Sequence, residues 1–290
     1  MHLIGYIVRW LARSLESMGR LVSRLSDLFN GLLPALLSPS QLTKLLQDHY
    51  RVSYADDVDL ATTGFERWRL VDWELEVLDR FDIRSGRMLV LGAGCGREAL
   101  DLARMGISVV GIDTNFAALG TARRIAELAG LLVQFHQADF LKLPYTTASF
   151  NCAILSEIMY SAIPGMMRRQ AWLRDLSDVL QPDGLLILSF LTERRPISRL
   201  QILCRRVNRF LVKLPGANTT YVPGDDCPQG HFVHAFQDED EIRREFSGSG
   251  VLIRELDWKK GFAVLACPPR MNRELMTVTH FPEPALLDQK

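Results

Sequence analysis

Leu91-Gly92-Ala93-Gly94-Cys95-Gly96-Arg97-Glu98 follows the apolar run Met88-Leu89-Val90-Leu91 and opens a helical stretch from Arg97 to Met105. Three glycines at alternate positions let the backbone turn sharply and approach a ligand with no Cβ in the way. The start of the following helix adds unpaired N–H groups. Asp113 stands nineteen residues after Gly94, at the end of a second apolar run. A carboxylate placed there can accept hydrogen bonds from both hydroxyls of a ribose. The dinucleotide fingerprint asks for a third glycine three positions after the second. Here that residue is Arg97, so the fit to a nicotinamide-type site is poor.

Outward from this loop the chain alternates between strands and helices. Ser108–Ile112, Leu132–His136, Phe150–Leu155 and Leu185–Phe190 read as strands, and Phe116–Ala129 and Arg168–Leu180 as helices. The second of these helices ends at the turn Gln181-Pro182-Asp183-Gly184. Strands without internal polar alternation, separated by helices, imply a parallel sheet covered on both faces. An acidic helix, Asp238–Phe246, then precedes two strands, Val251–Trp258 and Phe262–Cys267, joined as a hairpin through Lys259-Lys260-Gly261. The expected class is α/β, doubly wound.

The alternating glycines resemble the nucleoside-binding loop of class I S-adenosylmethionine-dependent methyltransferases. The resemblance covers roughly Trp68 to Cys267. It implies a Rossmann-like, mostly parallel seven-stranded sheet with a terminal antiparallel hairpin. It also implies S-adenosylmethionine as cofactor, held by Gly92, Ala93, Gly94 and Gly96, by Asp113 with Thr114, by the adenine-binding turn at Asp139-Phe140, and by Ser156. Glu157 and Tyr160 follow the fourth strand, where ligands of open parallel sheets sit, and are the catalytic candidates. The family usually carries an acid two positions before the first glycine; Val90 stands there instead. The methionine ammonium must then rely on backbone carbonyls, water, or a side chain such as Glu157. Plainer roles stay open: Asp113 as a helix cap, Asp139 as a turn former, Cys95 as a small filler, and His231 and His234 as structural histidines. A His-x-x-His pair is too short for a metal site, and none is expected.

Lys+Arg and Asp+Glu each number 34, so bulk charge attraction to nucleic acid is excluded. The apolar fraction of 48% is that of a folded chain. Five scattered cysteines with no CxxC pair favour a reducing, cytoplasmic setting over a disulfide scaffold. Residues 1–62 read as a helical extension, with Ile4, Val8, Leu11, Leu15, Met18, Val22, Leu25, Phe29 and Leu32 on one stripe and Arg9, Arg13, Arg20 and Arg24 off it. Gly31 and Pro34 are expected to weaken or break that helix. Ser38-Pro39-Ser40 starts another, and Asp56, Asp57 and Asp59 mark an acidic loop.

Residues 63–268 form the expected methyltransferase domain, and 269–290 a tail. Within the domain, 192–230 is an insertion carrying Arg194, Arg195, Arg199, Arg205, Arg206, Arg209 and Lys213, with Leu200, Leu203, Val207, Phe210 and Leu214 at helical spacing. It is expected to be a basic lid. The N-terminal helix reads as packed on its own domain or on a partner subunit, as lying on an anionic membrane surface, or as a cleaved targeting peptide. Together the two basic amphipathic segments suggest, as one reading, peripheral contact with an anionic membrane and a small or lipid-like acceptor. Nucleic acid is not expected, since aromatic residues are not interleaved and no Asn-Pro-Pro-Tyr-type tetrad follows the fourth strand. Methyl transfer to O, N or C is the expected reaction. Aminopropyl transfer on the same fold, or a non-catalytic nucleoside-binding scaffold, are the alternatives. The oligomeric state is not readable.

Overall fold

Arg87–Leu91 (β1) lies at the centre of the structure, a computed structural model that describes residues 2–50, 69–193 and 197–268, with side chains described throughout except at 2–8, 10 and 11. Successive side chains of a strand point to opposite faces. Met88 and Val90 therefore enter one core cluster, and Leu89 and Leu91 the other. The first cluster packs helices α3 (Asp72–Arg80), α4 (Arg97–Arg104) and α5 (Phe116–Leu128) against the sheet. The second packs α6 (Met166–Val179) and α8 (Glu239–Ser249). Each fully buried leucine, isoleucine or phenylalanine in these layers contributes about 1.5–3 kcal/mol.

The other strands are β2 (Ser108–Asp113), β3 (Val133–Gln137), β4 (Phe150–Leu155), β5 (Leu180–Ser189), β8 (Leu252–Asp257) and β9 (Phe262–Cys267). Their order is β3-β2-β1-β4-β5-β9-β8, parallel from β3 to β5 and antiparallel for the last two. This is the doubly wound seven-stranded sheet the sequence implied. A second, two-stranded sheet pairs β6 (Asp225–Asp226) with β7 (Val233–His234). The turn at 181–184 is present, but it is a register shift inside β5: Phe150 pairs with Leu180 and Cys152 with Leu185. Asp183 takes a φ of +61° there.

Helix α1 (His2–Leu36) runs through Gly31 and ends two residues after Pro34, in keeping with a helix weakened there. Its last turns pack against helix α7 (Arg199–Leu211) and the loop after it. A Cβ on Gly31 would stand 2.8 Å from Cys204 Sγ, so glycine permits the close approach of α7. Asn208 donates to the Gly31 carbonyl at 2.9 Å and Asn218 to that of Pro34 at 2.8 Å, satisfying acceptors at the helix end. A further helix, α2, spans 39–50. Trp68, Arg194, Arg195, the acidic loop with Asp56, Asp57 and Asp59, the 62/63 boundary and the 269–290 tail lie outside the described residues.

Tyr160 was a catalytic candidate on sequence; the structure corrects that. Its side chain is fully buried, its hydroxyl donates to Glu245 Oε1 at 2.5 Å, and its ring stacks on Phe236. Glu245 also receives a two-pronged contact from Arg169 (Nε and Nη2, each 2.7 Å), an ion pair in which each side chain is 1% exposed. These groups lock α6 to α8 beneath the sheet. Glu245→Ala leaves the guanidinium buried without its counter-charge. Urea denaturation is expected to show a loss of about 3–5 kcal/mol. Tyr160→Phe removes one donor and is expected to cost about 1–2 kcal/mol.

Candidate active site

The carboxyl ends of β1, β2 and β4, with the turn after β3, line one cavity of about 560 Å³. Gly92 has a φ of +67°, and a Cβ built on it meets nothing within 4 Å. Glycine there leaves open the space a side chain would fill. The loop is pinned to β2: Ala93 N–H donates to the Ile112 carbonyl at 2.8 Å, and Gly94 N–H to Asp113 Oδ2 at 2.9 Å. Asp113 Oδ1 accepts from Asn115 N–H at 2.7 Å. Burial pushes the Asp113 carboxyl up, against the pull of the N–H groups of Asn115, Gly94 and Thr114. The cap of α5 is the Asn115 side chain, which accepts from Ala117 and Ala118, so the capping role considered for Asp113 falls to its neighbour. With three N–H donors on it, the Asp113 carboxylate keeps a lone-pair site for a further donor.

Thr114, Asp139, Phe140, Ser156 and Glu157 also line the cavity. Asp139 is a turn former as well: its Oδ1 accepts from Leu141 N–H at 2.9 Å. Phe140 is held by Trp172, whose indole N–H donates to its carbonyl at 2.8 Å. Gly96 does not line the cavity. A Cβ there would approach Ala122 at 3.1 Å and Leu100 at 3.2 Å, so this glycine serves the packing of α4 and α5.

An acidic cluster surrounds Arg97 beside the glycine loop. Arg97 contacts Glu74 (2.9 Å), Glu98 (2.6 Å) and Glu157 (3.1 Å), three carboxyls around one guanidinium. Glu74 is 1% exposed and also accepts from Ser156 Oγ at 2.5 Å. Burial pushes the Glu98 carboxyl up to about 7, with Arg97 opposing and Glu74 adding. Glu157 and Ile158 both take a φ of +54°, a left-handed conformation costly for non-glycine residues and concentrated at functional sites. The sequence held no sign of Glu74, because its place beside Arg97 is set by how α3 packs on the sheet.

The cover also differs from expectation. No described residue of 192–230 lines the cavity, so that insertion is not its lid; α7 packs on α1 instead. The cover is α2, through Thr43, Leu46, Gln47, His49 and Tyr50. Gln47 reaches Asp139 at 3.4 Å. Burial raises the Tyr50 phenol, and the charges of Glu157 and Asp113 raise it further. The two histidines part company. His234 is buried, at 2.7 Å from Asp225 and 3.3 Å from Glu241. His231 lines the cavity and stacks on His49 at 4.2 Å. Its Nδ1 is buried with no hydrogen-bond partner among the described residues. Burial, then His49, lowers its pKa and keeps the ring neutral. Cys95 lines the cavity as a buried thiol. Among the described residues no cluster of His, Cys, Asp and Glu could hold a metal ion.

Residues 88–184 match the family model for a methyltransferase domain. The chain is 23% identical to the carboxy-S-adenosyl-L-methionine synthase of Nautilia profundicola, over 53% of this chain and 66% of that protein. It is 34% identical to the demethylmenaquinone methyltransferase of Thermus thermophilus, over 42% of this chain and 53% of that one. It thus spans less than two thirds of the length of either relative. Among solved structures, the Burkholderia thailandensis 1,6-didemethyltoxoflavin-N1-methyltransferase, bound to 1,6-didemethyltoxoflavin and S-adenosylhomocysteine, superposes with a TM-score of 0.56 at 16% identity, covering 81% of this chain and 92% of its own. That likeness is one of fold. The matched segment runs from β1 into the start of β5 and includes the glycine loop, so this part of the chain is similar to a methyltransferase domain.

Proposed function

We propose that the chain transfers a methyl group from S-adenosylmethionine to a small or lipid-like organic acceptor, at oxygen, nitrogen or carbon. The observation that carries this reading is a single cavity lined by the glycine loop, Asp113, the Asp139-Phe140 turn and the Glu157 segment, and covered by α2. The residues present fit the cofactor. Gly92 leaves room against the backbone, Asp113 has acceptor capacity for ribose hydroxyls, and three carboxyls around one arginine favour an ammonium. When bound, the cofactor supplies an electrophilic methyl on a sulfonium, and alignment is most of what the protein must add.

On the acceptor side, Leu46, Leu141, Ile158 and Met159 give the cavity an apolar wall, which supports an apolar acceptor. His231 lines the cavity with its ring held neutral, which supports it as the group that takes a proton from an acceptor that must lose one. Glu157 is paired with Arg97, which supports a role in ordering the cofactor rather than in proton transfer. The five cysteines are buried thiols, consistent with a cytoplasmic setting.

The test is transfer of a labelled methyl group into an extract of small and lipid-like molecules. Label in the organic phase with the natural chain, and none with Asp113→Ala, is the expected result. No label in any acceptor fraction removes the reading. Calorimetry with S-adenosylhomocysteine should show Asp113→Ala weaker by about 1–3 kcal/mol.

Glu98 gives a pH dependence whose sign follows from its environment. A cation held beside it favours the ionised form, so uptake of the cofactor releases protons and tightens as pH rises toward about 7, levelling off above it. Glu98→Gln should flatten that slope in calorimetric titrations run in two buffers of different ionisation enthalpy. For folding without ligand the sign reverses. A carboxyl raised from 4.5 to about 7 on folding binds more protons in the native state, so its stabilising contribution is present below 4.5 and is lost as pH climbs from 4.5 through about 7.

A further inference from the structure

The middle of the apolar stripe of α1 is exposed among the described residues. Leu15 (67% exposed), Met18, Val22, Leu25 and Phe29 (64%) all stand in solvent. Helix α7 leaves a second row in the same state, Leu203 and Phe210 (71%), continued by Leu214 just past its end.

The contacts between the two helices fix how these rows relate. Cys204 lies against the Leu28 carbonyl and the Cα of Gly31, and Asn208 donates to the Gly31 carbonyl. Both chains advance in the same direction along this seam, so the helices run parallel. At about 100° per residue, the Met18–Phe29 row lies roughly 120° round α1 from the Leu28–Gly31 seam. On α7 the Leu203–Phe210 row lies roughly 110° from the Cys204–Asn208 seam, in the opposite rotational sense. Two parallel helices with rows rotated oppositely from their shared seam present both rows to the same side. The result is one apolar face two helices wide.

Its charge setting is one-sided. Helix α7 holds no acid. Arg205 pairs with Glu193, but Arg199, Arg206 and Arg209 make no ion pair among the described residues and are exposed. By the same helical count Arg199 and Arg206 border the α7 row on the side away from α1. Arg9, Arg13, Arg20 and Arg24 lie on the polar face of α1, with only Arg20 paired, to Glu16. Among the described residues no helix is long and apolar enough to cross a membrane. An apolar face two helices wide, with Arg199 and Arg206 along its α7 edge and a cationic face behind α1, is the pattern of a segment that lies in a lipid interface. A second copy of the chain would set these arginines against one another.

We propose that α1 and α7 together form a docking face for the surface of an anionic lipid bilayer. The inference rests on the exposed rows and their arginines, and stands apart from the transfer chemistry. The test uses the full chain with sucrose-loaded vesicles, of phosphatidylcholine alone or with about 30 mol% phosphatidylglycerol. The chain should pellet with the anionic vesicles at least about tenfold more strongly than with neutral ones. Val22→Asp/Phe29→Asp should abolish pelleting. Arg206→Glu/Arg209→Glu should weaken it by about tenfold or more. All four positions are exposed, so thermal unfolding and S-adenosylhomocysteine binding should match the natural chain. Recovery in the supernatant with both vesicle types overturns the proposal. So does a dimer in solution that Val22→Asp/Phe29→Asp dissolves, since the face would then be covered by a second copy. Either result leaves the cavity's reading untouched, and loss of nucleoside binding would leave this one untouched.

Discussion

The carboxylate of Asp113 ties the turn after β1 to the turn after β2. One oxygen takes the Gly94 N–H and the other the Asn115 N–H, so both loops at the sheet's carboxyl end hang on a single side chain. That group is half-buried, and its pKa is pushed up by the partial loss of water. A carboxylate drawn from water is tolerated best when its oxygens are engaged. The loop takes its shape from the acid, and the acid takes its partners from the loop's N–H. Acceptor capacity is left over once this structural work is done.

Beside the glycine loop, three elements bring carboxyls together: Glu74 on α3, Glu98 on α4 and Glu157 after β4. Arg97 organises them. Its charge lets Glu74 be almost wholly buried while Glu157 stays open to solvent. The left-handed backbone at Glu157 and Ile158 stores strain where the ligand would lie, anchored by the hydrogen bond from Ile158 N–H to Ser189 Oγ at 2.8 Å.

What could be read from the sequence was local. Continuous apolar runs located β1, β4 and β9 because a strand buried on both faces has few other compositions. The glycine loop and the acids at 113 and 139 were legible because backbone turns and strand ends leave a spacing. Tyr160 sat at the right distance from β4 and still went to the core, since the 3₁₀ turn at Met159–Ala162 points it at Glu245. The end of α1 near Pro34 was legible, but the asparagines that take up its last carbonyls stand more than 170 residues away. Helix 39–50 was assigned to an extension, and its role as cavity cover depends on where α1 and the 231 region place it. These misses share one cause: each depends on a contact between segments distant in sequence.

The central claim is that a sulfonium nucleoside sits on the backbone between Leu91 and Arg97 under α2. Amide hydrogen exchange with and without saturating S-adenosylhomocysteine tests it most directly. The account predicts protection gathered at 92–97, 113–114, 139–141 and 39–50, with β8 and β9 unchanged. Exchange that is identical in both samples at the glycine loop and in α2 would contradict it.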